Sequence, residues 1–273
     1  MNIKNLIDDL GIHPNKKLGQ NFLIEENAAK KIIEWANLPK GCNVVEIGPG
    51  LGAISYDLAK AGHPLILIEI DNKIAQYMKR EFANQSNVTV MHQDVLEVDF
   101  QTIFPGEPFH IISNAPYSIS TPIIEKALEV KERVPQMVFL FQEEVINRIC
   151  SKADDDEYGR LSIWVQSQCD IERGDRIAKD NFFPKPDVES RLVRITPSKN
   201  PLIPEEQREK FLKFIGHVFR QRRKTLRNNL KSLGIDGEKT NSILTAFGIT
   251  ETVRAETLEI DQLYKIYQSI YGS

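Results

Sequence analysis

Three cysteines in 273 residues, Cys42, Cys150 and Cys169, are too few and too scattered for a disulfide framework or a zinc site. They point to a reducing compartment. No apolar run approaches the length needed to cross a bilayer. The first residues, through Asp8 and Asp9, carry acids and lack the charged-then-apolar order of a secretion signal, and they make a poor organelle presequence. The expected location is therefore the cytoplasm, with no membrane partner. Internal repeats and low-complexity tracts are absent, and the acid run Asp154–Glu157 reads as a solvated loop rather than a metal site. One further absence is local: no acid occurs between Lys210 and Lys231.

The chemistry begins at Asn114-Ala115-Pro116-Tyr117, directly after the apolar run His110–Ser113. An Asn and a Pro here suit a simple strand-to-loop turn. They equally suit a grip on the exocyclic amine of a flat ring. The Asn114 side-chain oxygen accepts one N–H, the Ala115 carbonyl accepts the other, and Tyr117 covers the ring face. Pro116 biases Ala115 toward an extended conformation that aims the carbonyl outward.

Upstream, Val44-Val45-Glu46-Ile47 runs into Gly48-Pro49-Gly50-Leu51-Gly52, followed by helical spacing from Ala53 to Ala61. Glycines in such a turn let backbone approach a nucleotide-like ligand. A dinucleotide loop needs glycine at 53, where this chain has Ala53. The next strand ends at Glu69, the spacing at which a carboxylate accepts both hydroxyls of a ribose. A third strand, from Val88, ends at Asp94-Val95. Asp94 reads either as a helix cap or as an acceptor for an adenine amine, with Val95 against the ring. Gly48, Glu69, Asp94 and Asn114 thus line up at the carboxyl edge of an open α/β sheet, where such sheets bind ligands.

Net charge is −3, but the chain from Lys199 onward holds 13 basic and 9 acidic residues. The excess is densest in Phe219–Lys231. On one continuous helix, Arg220, Arg223, Lys224, Arg227 and Lys231 share a face, as a phosphate-binding stripe or as a solvated one; Arg222 falls nearer the apolar side. Lys16 and Lys17 form a second basic point. The spacing predicts a helix over Glu26–Ala36, alternating strands and helices from Val44 to about Gln142, and late strands at Arg160–Asp170 and Val188–Thr196. A Pro-rich stretch from Thr196 to Pro204 divides a domain of residues 1–197 from a helical, RNA-recognising domain of 198–273.

Several segments together resemble the KsgA/Dim1 family of ribosomal RNA adenine N6,N6-dimethyltransferases over essentially the whole chain. They are Leu18-Gly-Gln-Asn-Phe-Leu23, Val45–Gly52, Glu69-Ile-Asp71, Asn114–Tyr117, Phe182-x-Pro-x-Pro-x-Val-x-Ser190 and Arg222–Leu230. The resemblance implies a class I, Rossmann-like, doubly wound and mostly parallel sheet. Its activity would transfer four methyl groups from S-adenosylmethionine to two adjacent adenosines near the 3′ end of small-subunit rRNA, releasing S-adenosylhomocysteine. Asn21, Leu23, Gly48, Glu69, Asp94 and Asn114 are implied cofactor contacts, Glu46 supports the Gly48–Gly50 loop, and Phe182 opposes Tyr117 across the target base. A monomer acting on a pre-30S particle is expected, without a metal. Ala115 stands where Leu is frequent, and Asp187 where a basic residue is common.

Three other readings are open to the same residues. A large-subunit, macrolide-resistance dimethyltransferase shares the cofactor and base motifs but not the Arg222–Leu226 and Phe182–Pro186 stretches. A non-catalytic RNA-binding factor on this scaffold has no need of Glu46, Asn114 and Tyr117. An NAD oxidoreductase is disfavoured by Ala53.

Overall fold

The computed structural model describes residues 3–15, 18–115 and 119–272. The chain begins with α1 (Ile3–Asp9), β1 (Phe22–Leu23) and α2 (Glu26–Ala36), the last ending on Asn37 in the left-handed region. Alternation follows: β2 (Asn43–Ile47), α3 (Ser55–Lys60), β3 (Leu65–Glu69), α4 (Asn72–Glu81), β4 (Val88–His92), β5 (Phe109–Ser113), α5 (Ser120–Leu128), β6 (Met137–Gln142) and α6 (Glu143–Cys150). The last strands are β7 (Cys169–Ile177), β8 (Phe182–Phe183) and β9 (Ser190–Pro197).

Seven strands form one sheet in the order β4-β3-β2-β5-β6-β9-β7. Parallel pairing runs from β4 through β6, and β9 joins β6 antiparallel, Phe141 opposite Arg191. Continuous burial of Val44, Val45, Ile111 and Ile112 reflects a parallel sheet covered on both faces. Asp71 starts α4 by accepting the N–H groups of Lys73 (2.9 Å) and Ile74 (3.2 Å). No helix among the described residues is long and apolar enough to cross a membrane.

Contacts divide the chain into two units, 1–146 with 171–197, and 147–170 with 198–273. The expected division into 1–197 and 198–273 therefore needs correcting at 147–170. Tyr158 and Ile163 from that segment pack in the second core, with Phe211, Leu226 and Leu263. The second unit also contains α7 (Arg160–Gln166), α8 (Glu205–Val218), α9 (Leu226–Lys231), α10 (Gly237–Ala246) and α11 (Ile260–Tyr271). Phe211 sits at its centre, edge-on to Tyr264 and Tyr267 at 5.5 Å each.

Two sequence expectations fail here. Arg160–Gln166 is a helix, and the strand expected across 160–170 starts only at Cys169. Leu161, Ile163 and Val165 alternate like strand residues, but Ser162 between them is also buried, so burial on several sides removes the period that separates helix from strand. The basic helix is also not continuous. α8 stops at Val218, residues 219–225 turn, and α9 restarts with Thr225 accepting Asn228 N–H at 3.3 Å. Buried Asn229 stabilises the break by donating to the Val218 carbonyl at 2.8 Å, satisfying a group the helix end leaves open.

Packing at the β7–β9 edge is tight enough to test. A Cβ on Gly174 would lie 2.7 Å from Trp35 Cε2 and 2.8 Å from Leu192 Cβ. Gly174→Ala is expected to destabilise the protein by about 1–3 kcal/mol through overpacking. A lowered denaturant midpoint at unchanged slope checks this; an unmoved midpoint contradicts the packing.

Candidate functional site

The carboxyl ends of β2, β3 and β5 open onto one cleft, with about 600 Å³ of empty space including its mouth. The register explains the convergence, since Ile47 pairs with Ile68 on one side and Ser113 on the other. The residues just past these pairs, Gly48, Glu69 and Asn114, consequently face a common space. Asn21, Leu23, Glu46 and Gly50 line it too.

Local contacts hold each wall. Gly50 has φ +54° and Gly52 φ +87°, conformations that favour glycine. A Cβ on Gly50 would stand 3.1 Å from the Phe22 ring, so the turn lies close against the 18–23 loop. That loop is tied down by Gln20, whose Nε2 donates to Asp71 Oδ2 at 3.2 Å, and by Asn21 Nδ2, which donates to the Gly19 carbonyl at 3.1 Å. Ser113 Oγ donates to the Ile47 carbonyl at 2.7 Å, fastening the base of Asn114 to the base of the glycine turn. Sequence reasoning missed Gln20, Ser55, Asp71 and Ser113 as positioning residues. Gln20 and Asp71 lay within recognisable segments, but serines inside or beside apolar runs gave no signal.

Two carboxylates are buried. Glu46, 2% exposed, accepts a hydrogen bond from Ser55 Oγ at 2.6 Å. Desolvation pushes its pKa up to about 7, against the lowering effect of Ser55. Glu69 is likewise pushed up to about 7 by desolvation, opposed by backbone N–H groups of Asp71 (2.9 Å) and Gly50 (3.4 Å). Each Glu69 oxygen thus accepts one backbone N–H and keeps capacity for another donor.

The remaining expected residues lie apart from this cleft or outside the described residues. Asp94 follows β4 and caps the short turn after it, accepting Leu96 N–H at 2.9 Å, while Val95 is buried beneath; neither lines the cleft. Ala115 is buried. Pro116, Tyr117, Lys16 and Lys17 fall outside the described residues. Phe182, expected opposite Tyr117, belongs to a short strand. It is 2% exposed, pairs with Leu23 across β1 and β8, and belongs to the core; Phe183 beside it is half-buried.

In the second unit the basic residues are distributed over a turn and a helix. Arg220, Arg223 and Lys224 lie in the turn, Arg227 and Lys231 on α9. Arg222 donates to Glu256 at 2.9 Å and Arg227 meets Glu251 at 3.5 Å, so acids distant in sequence relieve part of the stripe. Among the described residues no cluster of His, Cys, Asp or Glu is suited to a metal ion.

A parallel sheet with a glycine turn after its first strand, an acid ending the second and an Asn ending the fourth is a class I, Rossmann-like methyltransferase fold. The family model described as ribosomal RNA adenine dimethylase matches residues 12–271, and the chain belongs to that family. It is 33% identical over 99% of both chains to a protein of Clostridium botulinum strain Langeland named ribosomal RNA small subunit methyltransferase A. A Bacillus mycoides protein of the same name is 35% identical, covering 95% of this chain and 92% of the relative. Among solved structures, a dimethyladenosine transferase from Plasmodium falciparum shares the fold with TM-score 0.76 and 23% identity, over 90% of this chain and 95% of that one. The 23S rRNA methyltransferase ErmE does so with TM-score 0.69 and 21% identity, over 91% and 98%.

The buried acids generate a pH dependence. An unfolded Glu ionises near 4.5, whereas Glu46 and Glu69 ionise near 7 when folded. Between those values the folded chain holds more protons, so these groups lower stability as pH rises through the window. Glu46→Gln should lack its share of that fall, gaining on the wild type by on the order of 1 kcal/mol or more between about pH 5 and 7.5. Parallel wild-type and variant curves in denaturant titrations would contradict an ionising, buried Glu46.

Proposed function

We propose that this protein is a small-subunit (16S) rRNA adenine N6,N6-dimethyltransferase. It moves four methyl groups from S-adenosylmethionine onto two adjacent adenosines near the 3′ end of the rRNA, within a pre-30S particle in the cytoplasm. One observation carries the reading: Asn114 borders the same cleft as Glu69 and the Gly48–Gly50 turn. An amine acceptor and a nucleoside-binding wall thereby share one space. The names of the curated relatives support the small subunit over the large.

The cleft fits the cofactor. Gly50 brings backbone close where any Cβ would crowd Phe22, and Glu69 presents buried carboxylate oxygens able to accept ribose hydroxyls. Asn21 and Leu23 form the wall contributed by the loop, and Glu46 supports the glycine turn through Ser55. When bound, S-adenosylmethionine supplies a methyl group made electrophilic by its sulfonium.

The chain's own task is positioning. Adenine N6 is a weak nucleophile because its lone pair is delocalised into the ring. Asn114 Oδ1 and the Ala115 carbonyl accept its two N–H bonds, favouring a tetrahedral nitrogen whose lone pair is available for in-line attack. Each transfer replaces one N–H by N–CH3, with the proton released to water; after the first a single N–H remains, and the small Ala115 side chain leaves room for the added methyl. Tyr117 is assigned to stack on one face of the base, and Phe182, paired with Leu23 across β1 and β8, to oppose it on the other. Asp94 and Val95 are assigned to the adenine end of the cofactor; Asp94 Oδ1 already serves Leu96, which leaves Oδ2 for that contact. Arg220, Arg223, Lys224 and Lys231, with Lys16 and Lys17, are assigned to RNA phosphate. Arg222 and Arg227 keep that assignment while paired with Glu256 and Glu251. The protein acts as a monomer.

The test is methyl transfer from labelled cofactor to purified, undermethylated small and large subunits, with the modified nucleoside mapped. Dimethyladenosine confined to the small subunit is expected, and transfer to neither particle overturns the proposal. Two variants separate the roles. Glu69→Ala should weaken cofactor binding about ten- to a hundredfold, the worth of hydrogen bonds to a charged group. Asn114→Ala should mainly lower turnover while particle binding survives. Wild-type affinity in the first, or wild-type turnover in the second, removes the corresponding assignment.

A separate expectation concerns the turn after α8. Replacing Arg223 and Lys224 together by Gln should flatten the log–log salt dependence of particle binding by about one to two units, at roughly 0.7–0.9 per phosphate. Cofactor affinity should not move. An unaltered slope returns these cations to solvated surface.

A further inference from the structure

Only proline disfavours a helix more than glycine does, yet Gly216 sits inside α8, two residues before its end at Val218. Its backbone is helical rather than left-handed, so it does not serve as a helix-ending glycine. A Cβ built on it would meet nothing within 4 Å. Neither backbone conformation nor packing within the chain therefore accounts for a glycine at this position.

What Gly216 borders is a groove within the second unit. Glu209, Lys213, Gly216 and Arg220 recur at helical spacing and form one wall, along α8 and the start of the turn after it. α7 contributes Arg160 and Trp164, and the groove holds about 820 Å³ of empty space including its mouth. The Arg160 guanidinium lies over the Trp164 ring at 5.1 Å, so the α7 wall is an aromatic plate with a cation on it. Gly216 is the low point of the α8 wall, where backbone is open to whatever enters.

Charge indicates the occupant. Three cations, Arg160, Lys213 and Arg220, border the groove against one acid, Glu209. Glu209 meets Lys213 at 2.5 Å, but both side chains are more than two-thirds exposed, and exposed pairs of this kind are screened by salt and contribute little. The acid lies at the end away from the turn. At the other end Arg220 leads directly to Arg223 and Lys224, which are already assigned to RNA phosphate. Groove and turn thus form one continuous cationic surface. A single sugar–phosphate chain spans both, with charge recurring at every nucleotide, and a glycine floor admits a backbone at close range. This continuity favours a polynucleotide over an acidic peptide.

We infer that the groove between α7 and α8, floored by Gly216, seats a sugar–phosphate segment of the same rRNA that the basic turn engages. The inference rests on the proposed rRNA substrate. It extends the RNA-binding surface of the second unit from the turn back along α8, and it gives Gly216 a role that the helix itself does not supply.

The experiment measures thermal midpoints, and binding to undermethylated small-subunit particles and to protein-free 16S rRNA over a range of salt. The full chains compared are the wild type, Gly216→Ala, Gly216→Leu and Lys213→Gln. Gly216→Ala should raise the thermal midpoint, because alanine suits an open helix position better, while weakening binding to both RNA forms. Gly216→Leu, which fills the groove, should weaken binding further, by at least about fivefold, the lower end of what overpacking costs. Lys213→Gln should flatten the log–log salt slope by about one unit. Stability and binding moving in opposite directions is a result that a merely structural glycine would not give. A folded Gly216→Leu with wild-type affinity for free rRNA overturns the inference; should that variant fail to fold, wild-type affinity in Gly216→Ala does the same. A lowered midpoint in Gly216→Ala also overturns it, because the helix itself would then need the glycine. Weakening on particles but not on free rRNA overturns it too, the occupant then being a ribosomal protein. If the wild type transfers no methyl group to the small subunit, the proposed function fails, whereas binding to free rRNA still reads the groove.

Discussion

The alignment of Ile47 with Ile68 on one side and Ser113 on the other is the constraint on which the cleft depends. Parallel strands in register end at one level, so the residue after each pair is delivered to the same edge. The Ser113 hydroxyl bond to the Ile47 carbonyl reinforces this where the ladder stops and backbone groups would otherwise lose their partners. A slip of one residue would turn Glu69 and Asn114 to opposite faces of the sheet. Positioning chemistry tolerates little of that, because its rate advantage comes from holding reacting atoms in line.

Burial of Glu46 and Glu69 follows from the same geometry and has opposite consequences for stability and binding. A carboxylate removed from water is destabilised unless it is hydrogen-bonded. Ser55 supplies Glu46 with one donor, and Asp71 and Gly50 supply Glu69 with two backbone donors. This partial satisfaction leaves both acids reluctant to ionise, as their raised pKa values express. A ligand presenting hydroxyl donors to Glu69 completes the set. The fold therefore carries an energetic cost at its cleft that further donors to Glu69 would offset, a pattern expected where binding groups are held ready in advance.

Cationic groups are organised differently in the two units. In the second, a helix break spreads the basic residues over a turn capped by Asn229 and Thr225, and Glu251 and Glu256 neutralise part of them. In the first, three arginines converge on Glu143 from two strands. A turn presents cations in several directions, which suits an irregular RNA surface.

What the sequence determined is local. β-branched runs predict buried parallel strands, an acid or amide after each run predicts a ligand-binding edge, and the glycine spacing predicts a turn that bulkier residues cannot make. Those features depend on neighbours a few residues apart, so Glu46, Gly48, Glu69 and Asn114 are legible in the chain itself. Only the tertiary structure decided that residues 147–170 join the second core, that Arg160–Gln166 is helical, that the helix breaks after Val218, and that Phe182 turns inward against Leu23. It alone brought Arg173, Arg176 and Arg191 to Glu143, across sequence separations of 30, 33 and 48 residues. The reason is the same in each case. Burial on several sides erases the periodicity that reveals an element, and charges paired through space leave no spacing along the chain.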